Sequence, residues 1–127
     1  MTTITPTKEQ LENRRKWVAA LRSGAYRQAK AVLYDGAGYC CLGIACVALG
    51  LLPDKERHFD TFSALLPPSI AKRLGFGESW LEGKLDKPVA GEGCLSSLND
   101  LAGYTFAQIA DVIEEQFIKP FETAATS

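Results

Sequence analysis

The sequence predicts an α+β fold: a mainly helical single domain in which several short helices pack around a small two-stranded antiparallel ribbon. Three observations predict it. Two segments, one toward each end, carry apolar residues at helical intervals behind a capping-box pattern. Between them lies a wholly apolar stretch with the length of a two-turn buried helix, and Asp and Gly residues sit where the chain must reverse. The chain has 127 residues, 46% hydrophobic and 23% charged, which suits one folded domain spanning 1–127 with its own core.

Taking the elements in order, Thr7 and Gln10 have the spacing of a capping box, and Leu11, Trp17, Val18 and Leu21 then recur at helical intervals until Gly24. This predicts a helix over 8–23. Its other positions hold Arg14, Arg15, Lys16 and Arg22, read as the solvent side, with Arg15 and Arg22 as candidates for an anion. Residues 26–35, YRQAKAVLYD, suit a strand or a helix by propensity. Asp35, Gly36 and Gly38 favour a tight reversal, so the ribbon is placed at 28–34 and 38–41.

LGIACVAL has no polar side and is ended by Gly50 and Pro53, as a buried helix would be. Residues 53–67 mix charge with aromatics and read as a long irregular connection. SIAKRLG follows as a brief helix opened by Pro67 and Pro68 and closed at Gly75. Residues 76–93 form a second irregular connection, broken by glycines and Pro88, in which SWLEGK and KPVAG could make two short strands. Connections of this length often carry binding. A helix over 95–102, a stop at Gly103, a second capping box at Thr105 and Gln108, and a helix over 106–118 complete the chain. Phe106, Ile109, Ala110, Ile113 and Phe117 form its apolar stripe, while residues 1–6 and 121–127 are expected to fray.

Several function classes are disfavoured. The opening MTTITPTKEQ lacks the order of a secretory signal, and no apolar run approaches the roughly 18 residues of a membrane span. A cytoplasmic protein without a membrane partner is expected. Cys40, Cys41, Cys46 and Cys94 have no metal-ligand spacing and would stay reduced there, so neither metal nor cofactor is implied. Residues 1–30 hold seven Lys or Arg against two Glu, whereas the remaining 97 hold seven basic and thirteen acidic residues. That division into +5 and −6, with a pI near 5.8, argues against a nucleic-acid binder. It favours attraction between the two parts, within one domain or across a homodimer.

Two clusters invite chemistry. Cys40 and Cys41 stand at a helix N-terminus, where unpaired amides favour a thiolate, so Cys41 as nucleophile with His58 as base is one reading; Asp60 or Asp35 would orient the imidazole. The apolar sequence beyond Cys41 supports the other, in which both cysteines are buried filler. Asn99 and Asp100 suit a turn held by side-chain bonds to the backbone. With Arg27, Lys30 and Tyr34 they would instead hold the polar edge of a small nucleotide-like ligand. No phosphate-cradling loop, HExxH, GxSxG or paired-carboxylate signature is present.

Taken together, WVAALRSGAYRQAKAVLYDGAGYCCLGIACVALG and SLNDLAGYTFAQIADVIEEQF resemble an uncharacterised family of small proteins from bacteria and their phages. Its members join a W-V-x-A-L-R-S-G helix end, a Y-C-C-L-G helix start and a closing L-N-D-x-x-G-x-[ST]-F-x-x-I-A-D-x-I-E. The resemblance covers about half the chain and implies a shared fold and a phage or bacterial setting, with no catalytic residue. The expectation is a binding protein in the host cytoplasm, acting on a host protein or a small ligand and interfering with a pathway such as antiviral defence. A cysteine-dependent hydrolase or transferase and a nucleotide sponge are the alternatives.

Overall fold

Thr7 starts the first helix as its sequence pattern requires. Its hydroxyl accepts from the Gln10 amide at 3.1 Å, and its own amide donates to Gln10 Oε1 at 2.9 Å, so both halves of the capping box form. Helix α1, Lys8–Arg22, buries Leu11, Trp17, Val18 and Leu21 and stops before Gly24, whose φ of +75° suits a residue without Cβ. The computed structural model describes residues 6–29, 38–50, 66, 68–77, 80 and 82–126.

Arg14 corrects the sequence reading, since it is buried in the core rather than facing solvent. It belongs to a ladder of α1 side chains that caps helix α3, Pro68–Arg73. Gln10 Nε2 donates to Lys72 O at 3.3 Å, Asn13 Nδ2 to Arg73 O at 2.9 Å and Arg14 Nε to Leu74 O at 2.7 Å, while Arg14 Nη2 lies 3.5 Å from Gly75 O. The last carbonyls of a helix lack partners within it; here three side chains at positions i, i+3 and i+4 of another helix supply them. Arg14 Nη1 also donates to Phe117 O at 2.7 Å, and its guanidinium lies 4.1 Å from the centre of the Phe76 ring. Burial lowers its pKa to about 10, with Asp86 acting in the opposite direction, so it remains a cation at neutral pH.

Helix α2, Cys41–Ala48, is buried from Cys41 to Cys46, as its apolar sequence demands. Trp17 Nε1 donates to Cys41 O at 2.9 Å and fixes α1 against its first turn. Arg73 Nη1 caps the far end through Leu49 O at 2.9 Å. The ribbon expected before α2 is not what the described residues form. Gln28 and Tyr39 make an isolated parallel bridge, with Ala29 N donating to Tyr39 O at 2.7 Å and Tyr39 N to Arg27 O at 2.8 Å. The rest of that expectation, residues 30–37, lies outside the described residues, as does the 53–65 part of the first connection.

The antiparallel ribbon lies later, inside the stretch expected to be irregular. Strand β1, Lys84–Val89, pairs with β2, Glu92–Cys94, across a turn in which Ala90 has φ +51° and Gly91 φ +81°. Positive φ at both central residues gives the two-residue turn the hand that matches strand twist. Gln116 closes the other edge of β1 by mimicking a strand: Oε1 accepts from Asp86 N at 2.9 Å and Lys87 N at 3.1 Å, and Nε2 donates to Lys87 O at 2.9 Å. Helix α4, Leu95–Asp100, follows directly from β2.

Thr105 and Gln108 form the second capping box and open α5, Phe106–Ile113. Phe106, Ile109, Ala110, Ile113 and Phe117 are all buried, so the predicted stripe is the face that meets the core. The helix does not stop at 118. It passes through a π turn, Glu114–Ile118, into α6, Lys119–Thr126. Pro120 has no N–H to donate, and the wider turn below it accommodates that loss. Arg22 binds Asp111 and Glu114, each at 2.7 Å, and Arg15 lies 3.7 Å from Glu122, so the basic N-terminal part meets the acidic C-terminal part inside one domain. Among the described residues no helix is long and apolar enough to cross a membrane.

Candidate functional site

The chemistry-bearing residues converge where α2 begins. The Cys41 amide, the first of the helix, donates to Asn99 Oδ1 at 3.2 Å, so a side-chain oxygen already occupies the position in which a helix N-terminus would hold an anion. Asn99 is completely buried. Its Oδ1 also accepts from Gln28 Nε2 at 2.9 Å, and its Nδ2 donates to Ala29 O and Asp100 Oδ1, both at 2.8 Å. A primary amide offers two donors and two acceptor positions; all four are filled. Gln28 Nε2 further donates to Tyr104 O at 2.7 Å, which ties the segment 26–29 to the turn after α4.

The thiols are correspondingly quiet. Cys41 has no exposed surface and its sulfur donates to Leu95 O at 3.5 Å, while burial drives its pKa well above the ordinary value. Burial likewise raises Cys40 from 9.0 to about 11, outweighing the helix amides that pull it down, and Cys46 to about 12. The lowered thiol pKa expected at this helix start is therefore corrected: loss of water outweighs the helix amides. All four cysteines are free, and only Cys94 is more than marginally exposed; its sulfur lies 3.9 Å from Glu82 Oε2. His58, Tyr34 and Lys30, with the Asp60 and Asp35 that were to orient the imidazole, lie outside the described residues.

Several of the other expected binding residues are already engaged by neighbouring side chains. Arg22 is held by Asp111 and Glu114, whose hydrogen bonds raise its pKa in that order, and Arg15 by Glu12 at 3.5 Å and Glu122. Arg27 is exposed next to the bridge residue Gln28, while Asp100 is half-buried and engaged by Asn99. A groove of about 310 Å³ lies between Val89 and the face of α5 and the π turn bearing Asp111, Val112, Glu115 and Gln116. Among the described residues no three His, Cys, Asp or Glu side chains are grouped to hold a metal ion. Gln28 and Gln116, which organise the polar knot and the hairpin edge, escaped the sequence reading because their partners are backbone atoms and side chains dozens of residues away.

Residues 9–62 match a family described as a domain of unknown function, DUF8296, a span reaching from the first turn of α1 past α2. No curated protein and no solved structure matches the chain.

Proposed function

We propose that this protein acts by binding another macromolecule in the cytoplasm of a bacterial host, in the phage or prophage setting its sequence resemblance suggests, and that it modulates a host pathway such as antiviral defence. The observation supporting binding over catalysis is the filled start of α2. A covalent nucleophile must meet its substrate, and Cys41 meets Asn99 and Leu95 instead. The filled hydrogen-bonding positions of Asn99 weigh equally against a nucleotide sponge built on that residue.

The face offered to the partner lies on the outer side of the same polar knot. Leu101, which follows α4, is 76% exposed, and half-buried Ala102 and Tyr104 continue its turn. The bond from Gln28 to Tyr104 O brings the segment 26–29 alongside, with exposed Arg27 and half-buried Tyr26 packed edge-on to Tyr39 at 5.6 Å. Tyr and Arg beside an apolar anchor are the residue types that carry most interface energy.

Affinity capture from bacterial lysate tests this reading, using the wild-type chain, Leu101→Asp and Arg27→Glu. The expected result is one protein retained by the wild type and lost from both variants, each with an unchanged Tm because neither side chain is buried. Retention indifferent to both changes overturns the proposed face. Selective alkylation of Cys41 in the folded chain at neutral pH overturns the binding reading in favour of the cysteine enzyme.

A further inference from the structure

The π turn and Pro120 form a joint between α5 and α6. A π turn is a local widening of the helix, and Pro120 cannot close the hydrogen bond its position would otherwise supply. Changing direction here breaks fewer backbone bonds than in α5. Beyond the joint, Phe121 packs against the edge of the core, and Phe121 and Glu122 both reach side chains of α1. Half-buried Phe121 lies with its ring centre 5.4 Å from the Arg14 guanidinium carbon, and Glu122 Oε2 is 3.7 Å from Arg15 Nη2. The ion pair joins side chains that are 42% and 47% exposed, so water screens it.

Beneath Phe121 the guanidinium is held by groups that do not belong to α6. Leu74 O and Phe117 O each accept from it at 2.7 Å, and the Phe76 ring lies 4.1 Å away on another side. Moving α6 would therefore uncover Arg14 without releasing it. We propose that α6 is a displaceable strap: closed, Phe121 completes a two-ring enclosure of Arg14; open, a fixed cation backed by Phe76 is presented to solvent. This device is independent of the partner face around Leu101.

Chemical modification of Arg14 by phenylglyoxal, mapped by mass spectrometry alongside hydrogen exchange on the full chain, tests it. Glu122→Lys should release the strap by repelling Arg15 without touching the core, and Phe121→Ala should remove the cover itself. The expected result is at least fivefold faster modification of Arg14 in both variants, with faster exchange at 121–126 and unchanged exchange at 109–113. Should Phe121→Ala fail to fold, Glu122→Lys carries the test alone. Modification of Arg14 at the wild-type rate in Glu122→Lys, or exchange that rises equally at 109–113, overturns the strap.

Discussion

Arg14 joins α1, the end of α3 and the π turn through one guanidinium. Replacing it by Ala empties the space between Phe76 and Phe121 and strands the carbonyls of Leu74 and Phe117, and a buried polar group left without its partner costs about 1–3 kcal/mol. Arg14→Lys should recover only part of the loss, because an ammonium cannot reach two carbonyls in a fork. Urea unfolding midpoints for the two variants check both statements. The position was partly legible: residue 14 is three beyond Leu11, three before Trp17, four before Val18 and seven before Leu21, in the middle of the apolar stripe. Its residue type concealed it, since an arginine beside Arg15 and Lys16 reads as solvated. Asn99 was legible as a turn-fixing residue, but its bonds to Ala29, Gln28 and Cys41 span the fold.

Among the elements, both capping boxes formed as their spacing indicates because every atom they need lies within four residues. The hairpin was harder to read. Pro88 lies inside β1, and proline ordinarily argues against a strand; here the strand's outer edge is met by Gln116, a partner supplied from the far end of the chain. The turn also contains a misleading residue, since Ala90 holds φ +51° without the freedom of glycine. A left-handed conformation costs a residue with Cβ about 1–2 kcal/mol. Ala90→Gly should therefore raise stability by roughly 1 kcal/mol, less the entropy glycine adds to the unfolded chain, while Ala90→Val should lower it. Thermal unfolding of the pair reads the sign of each. The π turn left no local signature beyond Pro120.

At the scale of the molecule, three thiols stored in the core make stability depend on alkaline pH. A thiol whose pKa is higher when folded favours folding only while protonated. Its contribution is whole below the ordinary value of 9.0 and is lost as pH rises toward about 11 for Cys40 and about 12 for Cys46. Arg14, lowered to about 10, works in the opposite direction above that pH, so the informative window is pH 8 to 10. Stability should fall across it, and the double variant Cys40→Ala, Cys46→Ala should flatten the slope, as urea titrations at successive pH values would show. A disulfide reagent should find one ready thiol, Cys94, in the folded chain and four after denaturation. The division of charge was legible in the sequence, whereas its resolution through Arg15 and Arg22 onto α5, the π turn and α6 required the fold. By itself the sequence determined the α+β class, the start of both long helices and the buried character of α2, because periodicity, capping and hydropathy act within a few residues. Only the tertiary structure decided which polar groups are spent on the fold, because a buried polar atom takes whichever partner packing brings to it, however distant in the chain.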